Sequence, residues 1–325
     1  TSNVITTGGN CNTLYGGNNE GGQTNTTNIT VNGGNITTVF GGGEKTSVSQ
    51  STNVEINSDV VNVFGGSNKN GDIPITNITI NDGIIDSVYG ANNEGGFVNE
   101  TNVSLYGKYI NNVYGGGLKA TTGTSNINAF SGGISNIYGG GSEAGLTTSN
   151  VNIGSSVIGN VYGGSNLSGN VTDSYISNIT GAQVNDNIDV SVSFAESSQY
   201  PTNHTSSQNI QVEISNQSSS DITNWNLFIM TSEGVIGANW SSAYIEKING
   251  GYLITEKNQY YGTNIISSGS SYSFDFHAFS DVEYDDFVIY SVYFIGTDSN
   301  NNKYSSKIKV NNIYGANNEG GFLTN

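Results

Sequence analysis

The chain contains no arginine, and basic residues of any kind are scarce. Nine lysines stand against 26 aspartates and glutamates, so the formal net charge at pH 7 is −17. Proteins that hold a nucleic acid neutralise its phosphates with clustered lysine and arginine, and an anionic membrane surface repels a chain of this charge. The composition therefore argues against nucleic acid and against an anionic membrane as partners.

Cysteine and long apolar segments are scarce as well. Cys11 is the one cysteine of the chain, so no intramolecular disulfide can form. Apolar runs such as residues 227–230 are far shorter than the roughly 20 residues of a transmembrane helix. The chain starts without a methionine or a signal sequence, so we expect the numbering to begin at a mature or excised end. We expect an extracellular location at a bacterial cell surface, without membrane insertion.

Residues that favour helices are few. Glycine contributes 45 of the 325 residues, and asparagine, serine and threonine fill most of the rest. These residues favour turns and strands, whereas alanine, leucine, glutamate and lysine are sparse. Valine, isoleucine and aromatic residues recur at regular intervals, which is not typical of disordered chains. The composition therefore predicts an all-β fold.

An aromatic residue followed by glycine recurs along the chain and closes a short apolar segment each time. The first seven of these aromatics are 24 or 25 residues apart, and the eighth follows after a long gap. Self-similarity at such a period is typical of a solenoid, in which each turn buries its apolar face against the neighbouring turns. The eight aromatics are Tyr15, Phe40, Phe64, Tyr89, Tyr114, Tyr138, Tyr162 and Tyr314.

Each repeat contains two short strands and a glycine corner. Apolar residues stand at every second position of segments such as 28–31 and 77–80, which is typical of half-buried strands, and a second strand such as 36–40 leads to the aromatic. This pattern predicts a parallel β-helix with coils of 24–25 residues, and it resembles bacterial surface β-solenoid repeats. Equivalent residues then stack about 4.8 Å apart. The resulting aromatic ladder either packs within the coils or faces outward as a strip for sugar rings.

Acidic residues follow the aromatics at a constant distance. Glu20, Glu94 and Glu319 lie five residues beyond the aromatic of their coils. Stacked carboxylates repel one another unless water separates them or a cation bridges them. These residues are therefore either solvated loop tips or weak candidates for a calcium site. We predict no other metal ligands and no cofactor.

The two ends of the chain match each other. Residues 314–322 repeat residues 89–97 letter for letter, and a joint between residue 325 and residue 1 continues the coil period to within two residues. Either copies of the chain stack head to tail into a filament, or the sequence is a slice of a longer solenoid whose open β-edges are covered elsewhere. We favour head-to-tail assembly of copies through the terminal coils.

The coil rhythm stops after Tyr162 and resumes near residue 308. Between these points lie both tryptophans, both histidines and the one methionine, in strand-like segments without a helical pattern. Several strands separated by turns predict an antiparallel β-sandwich that is inserted into a solenoid loop. The predicted division is residues 1–184 for the solenoid coils, 185–305 for the inserted sandwich and 306–325 for the final coil.

Five segments of the insert occur in a specific order. They are 212–216 (VEISN), 222–228 (ITNWNLF), 238–242 (ANWSS), 260–265 (YYGTNI) and 273–276 (SFDF). In this order they resemble the family 2 carbohydrate-binding modules, which bind cellulose and related β-glycans. The resemblance covers about residues 186–304 and implies a β-sandwich in which Trp225 is buried under a sheet.

The resemblance also implies which aromatic residues contact sugar. Trp240, in the Trp-Ser-Ser motif, and Tyr261, before Gly-x-x-Ile, correspond to exposed stacking residues, although the family usually has tryptophan at the second position. Tyr260 and Tyr200 complete the predicted carbohydrate-binding set. Rigid tryptophan and tyrosine rings match the apolar faces of sugar rings. The alternative is that these residues are ordinary surface or packing aromatics.

Catalytic machinery is not evident in the sequence. No Ser-His-Asp order, metal-ligand cluster or phosphate-binding glycine loop is visible, and Asp59, Asp82 and Asp86 are the best candidates for paired carboxylates. We therefore expect a structural protein rather than an enzyme, namely a solenoid subunit that stacks into an extracellular fibre and displays a polysaccharide-binding domain. The alternatives are a monomeric adhesin segment of a longer surface protein and, third, a polysaccharide lyase or hydrolase.

Overall fold

The structure is a computed structural model of the chain, and it divides into two compact units. The first unit comprises Thr1–Ala182 and Asn312–Asn325, and the second comprises Gln183–Asn311. The regular elements of the described residues are all β-strands, and within this part of the chain no helix is long and apolar enough to cross a membrane. The predicted all-β fold is confirmed. The described residues are 1–154, 156–178, 185–196, 205–231, 235–236, 243–248, 251–255, 257–258, 262–263, 265–280, 287, 289–306 and 310–318.

The first unit is the predicted β-solenoid, in which each coil contributes one strand to each of two parallel eight-stranded sheets. The strands of the first sheet are β1 (Ser2–Thr6), β3 (Thr24–Val31), β5 (Val48–Asn57), β7 (Ile73–Asp82), β9 (Val98–Leu105), β11 (Thr122–Ala129), β13 (Leu146–Ile153) and β15 (Val171–Asn178). Those of the second sheet are β2 (Asn10–Tyr15), β4 (Asn35–Phe40), β6 (Val60–Phe64), β8 (Ile84–Tyr89), β10 (Tyr109–Tyr114), β12 (Gly133–Tyr138), β14 (Val157–Tyr162) and β27 (Val310–Tyr314).

Columns of aliphatic side chains form the core of the coil stack. In the first sheet Val54 pairs with Ile29 on one side and Ile78 on the other, and none of the three is more than 2% exposed. Val63 and Val88 occupy one column of the second sheet in the same way. Because alternate residues of a strand point to opposite faces, the apolar positions of each coil lie directly above those of the previous coil.

The second unit interrupts the eighth coil. In the early coils only a short turn separates the two strands, since β3 ends at Val31 and β4 begins at Asn35. The eighth coil instead consists of β15 and β27, with the second unit between them in sequence. Asn312 donates a hydrogen bond to Asn160, which lies 152 residues earlier in the sequence. Asn160 makes the equivalent bond to Asn136, which lies only 24 residues earlier. Strand β27 therefore completes the coil that β15 begins, so the predicted final segment, residues 306–325, contributes the second strand of the eighth coil.

The second unit contains a nine-stranded sheet with the order β19-β24-β17-β16-β26-β25-β18-β21-β20, together with the small pair β22 and β23. Its strands are β16 (Asn185–Glu196), β17 (Ser206–Asn216), β18 (Asn224–Thr231), β19 (Val235–Ile236), β20 (Tyr244–Ile248), β21 (Gly251–Thr255), β22 (Lys257–Asn258), β23 (Gly262–Thr263), β24 (Ser271–Ser280), β25 (Ile289–Thr297) and β26 (Lys303–Ser306).

The two halves of this sheet face each other as a sandwich. Tyr252 of β21 packs edge-on against Phe276 of β24 at 5.1 Å between ring centroids, although these strands are far apart in the sheet order. Trp225 is fully buried between the halves, as the resemblance implies, with Phe294 at 5.9 Å. The predicted antiparallel sandwich is confirmed with one difference: the pairing of β16 with β26 is parallel and joins both halves into one sheet.

Candidate functional site

The aromatic ladder is a continuous stack of rings along the second sheet. Successive rings from Tyr15 to Tyr314 lie 4.4–5.2 Å apart between centroids, with interplanar angles of 5–17°. Each inner ring therefore has another ring on both faces, and Phe40 and Phe64 are only 4% and 6% exposed. A sugar stacks on a free ring face, so the hypothesis of a sugar-binding strip fails for these inner rings. The column is a packing element.

Polar loop residues cover the first rings of the column. The Tyr15 hydroxyl donates to Glu44, and Asn68 Nδ2 donates to Glu44 Oε2 at 2.7 Å. These bonds hold the pKa of Glu44 below its ordinary value, mainly through the Tyr15 hydroxyl. Burial, followed by the bond to Glu44, raises the pKa of Tyr15. The cluster ties three successive coils together at their corners.

The acidic positions do not form a stack of carboxylates. Lys45 Nζ lies 2.6 Å from Glu20 Oε1, and this hydrogen bond lowers the pKa of Glu20. Glu94 occupies the same position between Lys69 and Lys119 of the adjoining coils. Glu319 lies outside the described residues, within which no group of three or more histidine, cysteine or carboxylate side chains could hold a metal ion. Lys45 therefore balances the charge of Glu20, and lysines precede and follow Glu94 at this position of the coils.

Asparagine ladders, which the sequence reasoning missed, run along the first sheet. Each Nδ2 donates to the Oδ1 of the asparagine one coil before it, at 2.7–3.1 Å. The signal was visible as an asparagine at the same place in successive coils. The members are Asn3, Asn28, Asn53, Asn77, Asn102, Asn126 and Asn150.

The carboxylates considered for catalysis have local structural partners. Asp59 Oδ1 accepts the Ile84 N–H at 2.8 Å, and Asp82 accepts the Gly83 N–H at 2.7 Å. Asp86 Oδ1 accepts a bond from Asn111 at 3.2 Å. Such contacts fix the turns and the outer face of the second sheet, which is the role these residues have in the structure.

A concave polar surface lies on one face of the insert, where β16, β17 and β24 are adjacent. It encloses about 420 Å³ above the side chains of three neighbouring strands. Strand register places the polar residues in two rows across the strands, and all six are exposed. One row is Ser191, Glu213 and Ser273, and the other is Ser193, Gln211 and Asp275. We call this surface the polar face.

Strand alternation explains how the sequence builds the polar face. Val212 stands between Gln211 and Glu213 and is buried in the core of the sandwich, as is Phe274 between Ser273 and Asp275. A strand with one buried side presents every second residue to solvent. Sequence reasoning missed the polar face because the alternation shows which residues point outward but not which strands are neighbours.

The predicted sugar-contacting residues Trp240, Tyr261, Tyr260 and Tyr200 lie outside the described residues. They remain predictions from the resemblance. The polar face is formed by other strand segments of the same unit, and it supplies hydrogen-bonding groups rather than rings. The described part of the insert therefore offers candidate hydrogen bonds to sugar, in addition to the ring stacking that the sequence predicted.

Comparisons with known proteins leave the family open. No protein-family model and no curated protein matches the chain. Among solved structures, it is similar to an exo-β-N-acetylglucosaminidase of glycoside hydrolase family 20 from Vibrio harveyi, with TM-score 0.28 and 13% identity over 40% of this chain and 19% of that one. A chitinase from Bacillus thuringiensis gives TM-score 0.22 and 25% identity, and the match covers 28% of this chain and 13% of that one.

A third similar structure is the chitin-binding domain of a Streptomyces coelicolor protein. It gives TM-score 0.21 and 17% identity, and covers 28% of this chain and 80% of that domain. The chain spans only about a fifth or less of the length of the two enzymes. Likenesses at these TM-scores assign neither family nor function, so the functional argument depends on the chain's own geometry.

Proposed function

We propose that the protein is a structural β-solenoid that presents a polysaccharide-binding domain outside the cell and performs no catalysis. The polar face of the insert is the observation that carries this proposal. It places six exposed hydrogen-bonding side chains on a concave surface of three adjacent strands. A site of this kind suits a ligand that offers many hydroxyl groups in a repeating arrangement.

The spacing and charge of the polar face indicate the class of ligand. Neighbouring strands lie about 4.8 Å apart, and the two rows are about 7 Å apart along each strand, which is the scale of one sugar unit. Glu213 and Asp275 can each accept charge-assisted hydrogen bonds from sugar hydroxyls. The same carboxylates and the net charge of −17 repel acidic polymers. The favoured ligand is therefore a neutral polysaccharide.

The solenoid supplies the mechanical part of this function. Every coil is bonded to the next by backbone pairing, asparagine ladders and stacked rings. The eighth rung has an exposed apolar position, since Ile313 is 57% exposed whereas Val161 of the preceding rung is fully buried. Growth by coil-on-coil addition makes a fibre. Many displayed domains then convert weak single-site binding into avidity.

Retention on insoluble polysaccharides tests the binding proposal. The full chain is mixed with chitin, cellulose and xylan, and the bound fraction is compared with that of Glu213→Ala. We expect about tenfold weaker retention of this variant on the polysaccharide that binds the parent. The matched control is Glu246→Ala, which removes the same charge from an exposed position of β20.

The same assay separates the two kinds of sugar contact. Loss of retention in Trp240→Ala with normal retention of Glu213→Ala assigns binding to the predicted aromatic platform instead of the polar face. No retention of the parent on any neutral polysaccharide contradicts the proposed binding function. Release of soluble sugar by the parent contradicts the proposal that the protein is not an enzyme.

A further inference from the structure

The corners of successive coils interlock through two positions, which we number from the aromatic residue. The second corner position lies two residues after the aromatic, and the third lies three residues after it. At the third position of the fourth coil, Asn92 is fully buried and its Oδ1 accepts the Ser67 N–H of the coil below at 2.7 Å. A Cβ on Gly66, the second-position residue of that lower coil, would lie 1.9 Å from this oxygen. Asparagine at the third position therefore requires glycine beneath it.

The eighth coil repeats this arrangement across the inserted domain. Asn317 Oδ1 accepts the Ser165 N–H at 2.7 Å, and Asn317 Nδ2 donates to the Gly169 carbonyl at 3.1 Å. A Cβ on Gly164 would lie 1.8 Å from Asn317 Oδ1. The match between residues 89–97 and 314–322 thus has a structural cause at the third corner position, because Asn92 and Asn317 each accept the backbone N–H of a serine in the coil below.

The reverse arrangement occurs where the lower coil carries a side chain. Ala91 occupies the second corner position of the fourth coil and is fully buried. The third position of the next coil is then Gly117, which has no side chain to meet it. Serine follows the same rule as asparagine, since a Cβ on Gly42 would lie 2.3 Å from Ser67 Oγ. One of the two facing corner positions must be glycine.

The two end coils violate this rule if they are joined. The eighth coil offers Ala316 at its second corner position, and this residue is exposed. The first coil has Asn18 at its third corner position. The backbone carbonyl of Asn18 accepts hydrogen bonds, but its side-chain amide has no partner among the described residues. A copy that continued the stack in register would place the Asn18 side chain against the Cβ of Ala316. At the equivalent corner, a Cβ on Gly66 would lie 1.9 Å from Asn92 Oδ1, so we expect a clash of the same size here.

A second column is also interrupted at this joint. The asparagine ladder of the first sheet ends at Asn150, because Tyr175 occupies the next rung and is 58% exposed. A copy stacked in register would set Asn3 on Tyr175 instead of on another asparagine. The ladder bond between coils would therefore be missing at the junction.

We infer that the coil which docks on the eighth rung carries glycine at its third corner position, and that this rung rejects the Asn18 coil of a second copy. The partner is a parallel β-coil whose corner reads aromatic-Gly-Gly-Gly, as residues 114–117 do above Ala91. Asn18 in turn selects a coil with glycine at the second corner position beneath it. The inference rests on the proposed growth of the solenoid and specifies which coil that growth accepts.

Two substitutions remove the clash from opposite sides. Asn18→Gly gives the first coil the corner that residues 114–117 have, and Ala316→Gly recreates beneath Asn18 the glycine that lies beneath Asn92. Sedimentation velocity over a concentration series, with electron microscopy of the same samples, measures end-to-end association of the full chain. We expect both variants to form linear oligomers at concentrations at least about tenfold below those needed by the parent.

The control is Asn19→Gly, because Asn19 is the exposed neighbour of Asn18 at the fourth corner position. This variant is expected to remain dispersed like the parent. Association of the parent at the concentrations that suffice for the two variants overturns the inference, and so does failure of both variants to associate more readily than the parent. Polysaccharide retention of the same samples reports on the proposed binding function separately, so the two proposals can fail independently.

Discussion

The coil stack and the inserted sandwich bury their side chains in different ways. In the coils a residue packs against its own equivalents one period away, as Val54 does between Ile29 and Ile78. In the sandwich, Trp225 packs against Phe294 and Tyr272, which belong to unrelated segments of the sequence. A destabilising substitution in a coil should therefore lower the stability of the neighbouring coils only, whereas one in the sandwich core should lower the stability of that whole unit.

The largest effect is expected in the core of the insert. Trp225→Ala removes a fully buried ring and should lower the free energy of unfolding of this unit by about 4 kcal/mol. Calorimetry of the full chain should show the transition of the sandwich at a much lower temperature and that of the coils unchanged. Tyr244→Ala, at a 46% exposed position, serves as the control with little shift. A joint shift of both transitions would show that the units do not unfold separately.

A corner substitution should damage the coils locally. Gly66→Ala brings a Cβ against Asn92 Oδ1 and should cost about 3 kcal/mol of unfolding free energy. Hydrogen exchange should detect faster opening of the coils around residue 66 and little change in distant coils. Gly8→Ala, where no atom lies within 4 Å of the new Cβ, is the neutral control.

The corner rule also predicts that a second substitution compensates for the first. Adding Asn92→Gly to Gly66→Ala recreates the pairing of Ala91 with Gly117, so the double variant should be more stable than additivity of the two single effects allows. A double-mutant cycle with no coupling between the two positions would refute the rule.

A buried hydroxyl should matter less than a corner glycine. Thr76 Oγ1 donates to the Gly90 carbonyl at 2.6 Å, and the equivalent residues Thr52 and Thr101 make the same bond in their coils. Thr76→Val keeps the shape but leaves the carbonyl without this donor, which should cost about 2 kcal/mol. Chemical denaturation measures the effect, and Thr79→Val on the half-exposed face is the matched control. Equal costs for the two variants would mean that the hydroxyl bond is not the cause.

The smallest effect is expected at the start of the aromatic column. Tyr15→Phe keeps the stacked ring but removes the hydroxyl bond to Glu44, and should cost about 1 kcal/mol at pH 7. A carboxyl whose folded-state pKa is lowered contributes stability above its ordinary value of 4.5 and loses it as the pH falls through the lowered value. The difference between parent and variant should therefore shrink below about pH 4. A difference that is constant from pH 7 to pH 3 would exclude Glu44 as its source.

Much of the coil architecture could be predicted because each residue of a repeat contacts the equivalent residues of the neighbouring repeats. The 24–25-residue spacing of Phe40, Phe64 and Tyr89 predicts their stacking, since equivalent residues of parallel coils lie one above another. The lysines at the acidic positions were not foreseen, because only the glutamates were aligned and Lys45 and Lys69 at the same position were left out. The sugar platform around Trp240 remains a prediction from resemblance.

The polar face could not be predicted for a different reason. Its serines and carboxylates are ordinary outward-facing residues of three strands, and local alternation is the same whichever strands become neighbours. Glu213 and Ser273 belong together only because β17 and β24 pair in one particular register. That β15 and β27 share the eighth coil was not evident from local patterns either, because the whole second unit separates the two strands in sequence.

The sequence by itself determined the all-β solenoid, its period and its column of aromatic rings, because in parallel coils the contact partner of a residue is the residue one period away. Only the tertiary structure decided which strands complete the eighth coil, which side chains form the polar face, and that Ala316 is an exposed corner residue of the eighth coil. These features depend on pairing between segments with no period in common, and such pairing is set by packing of the whole fold rather than by any local pattern.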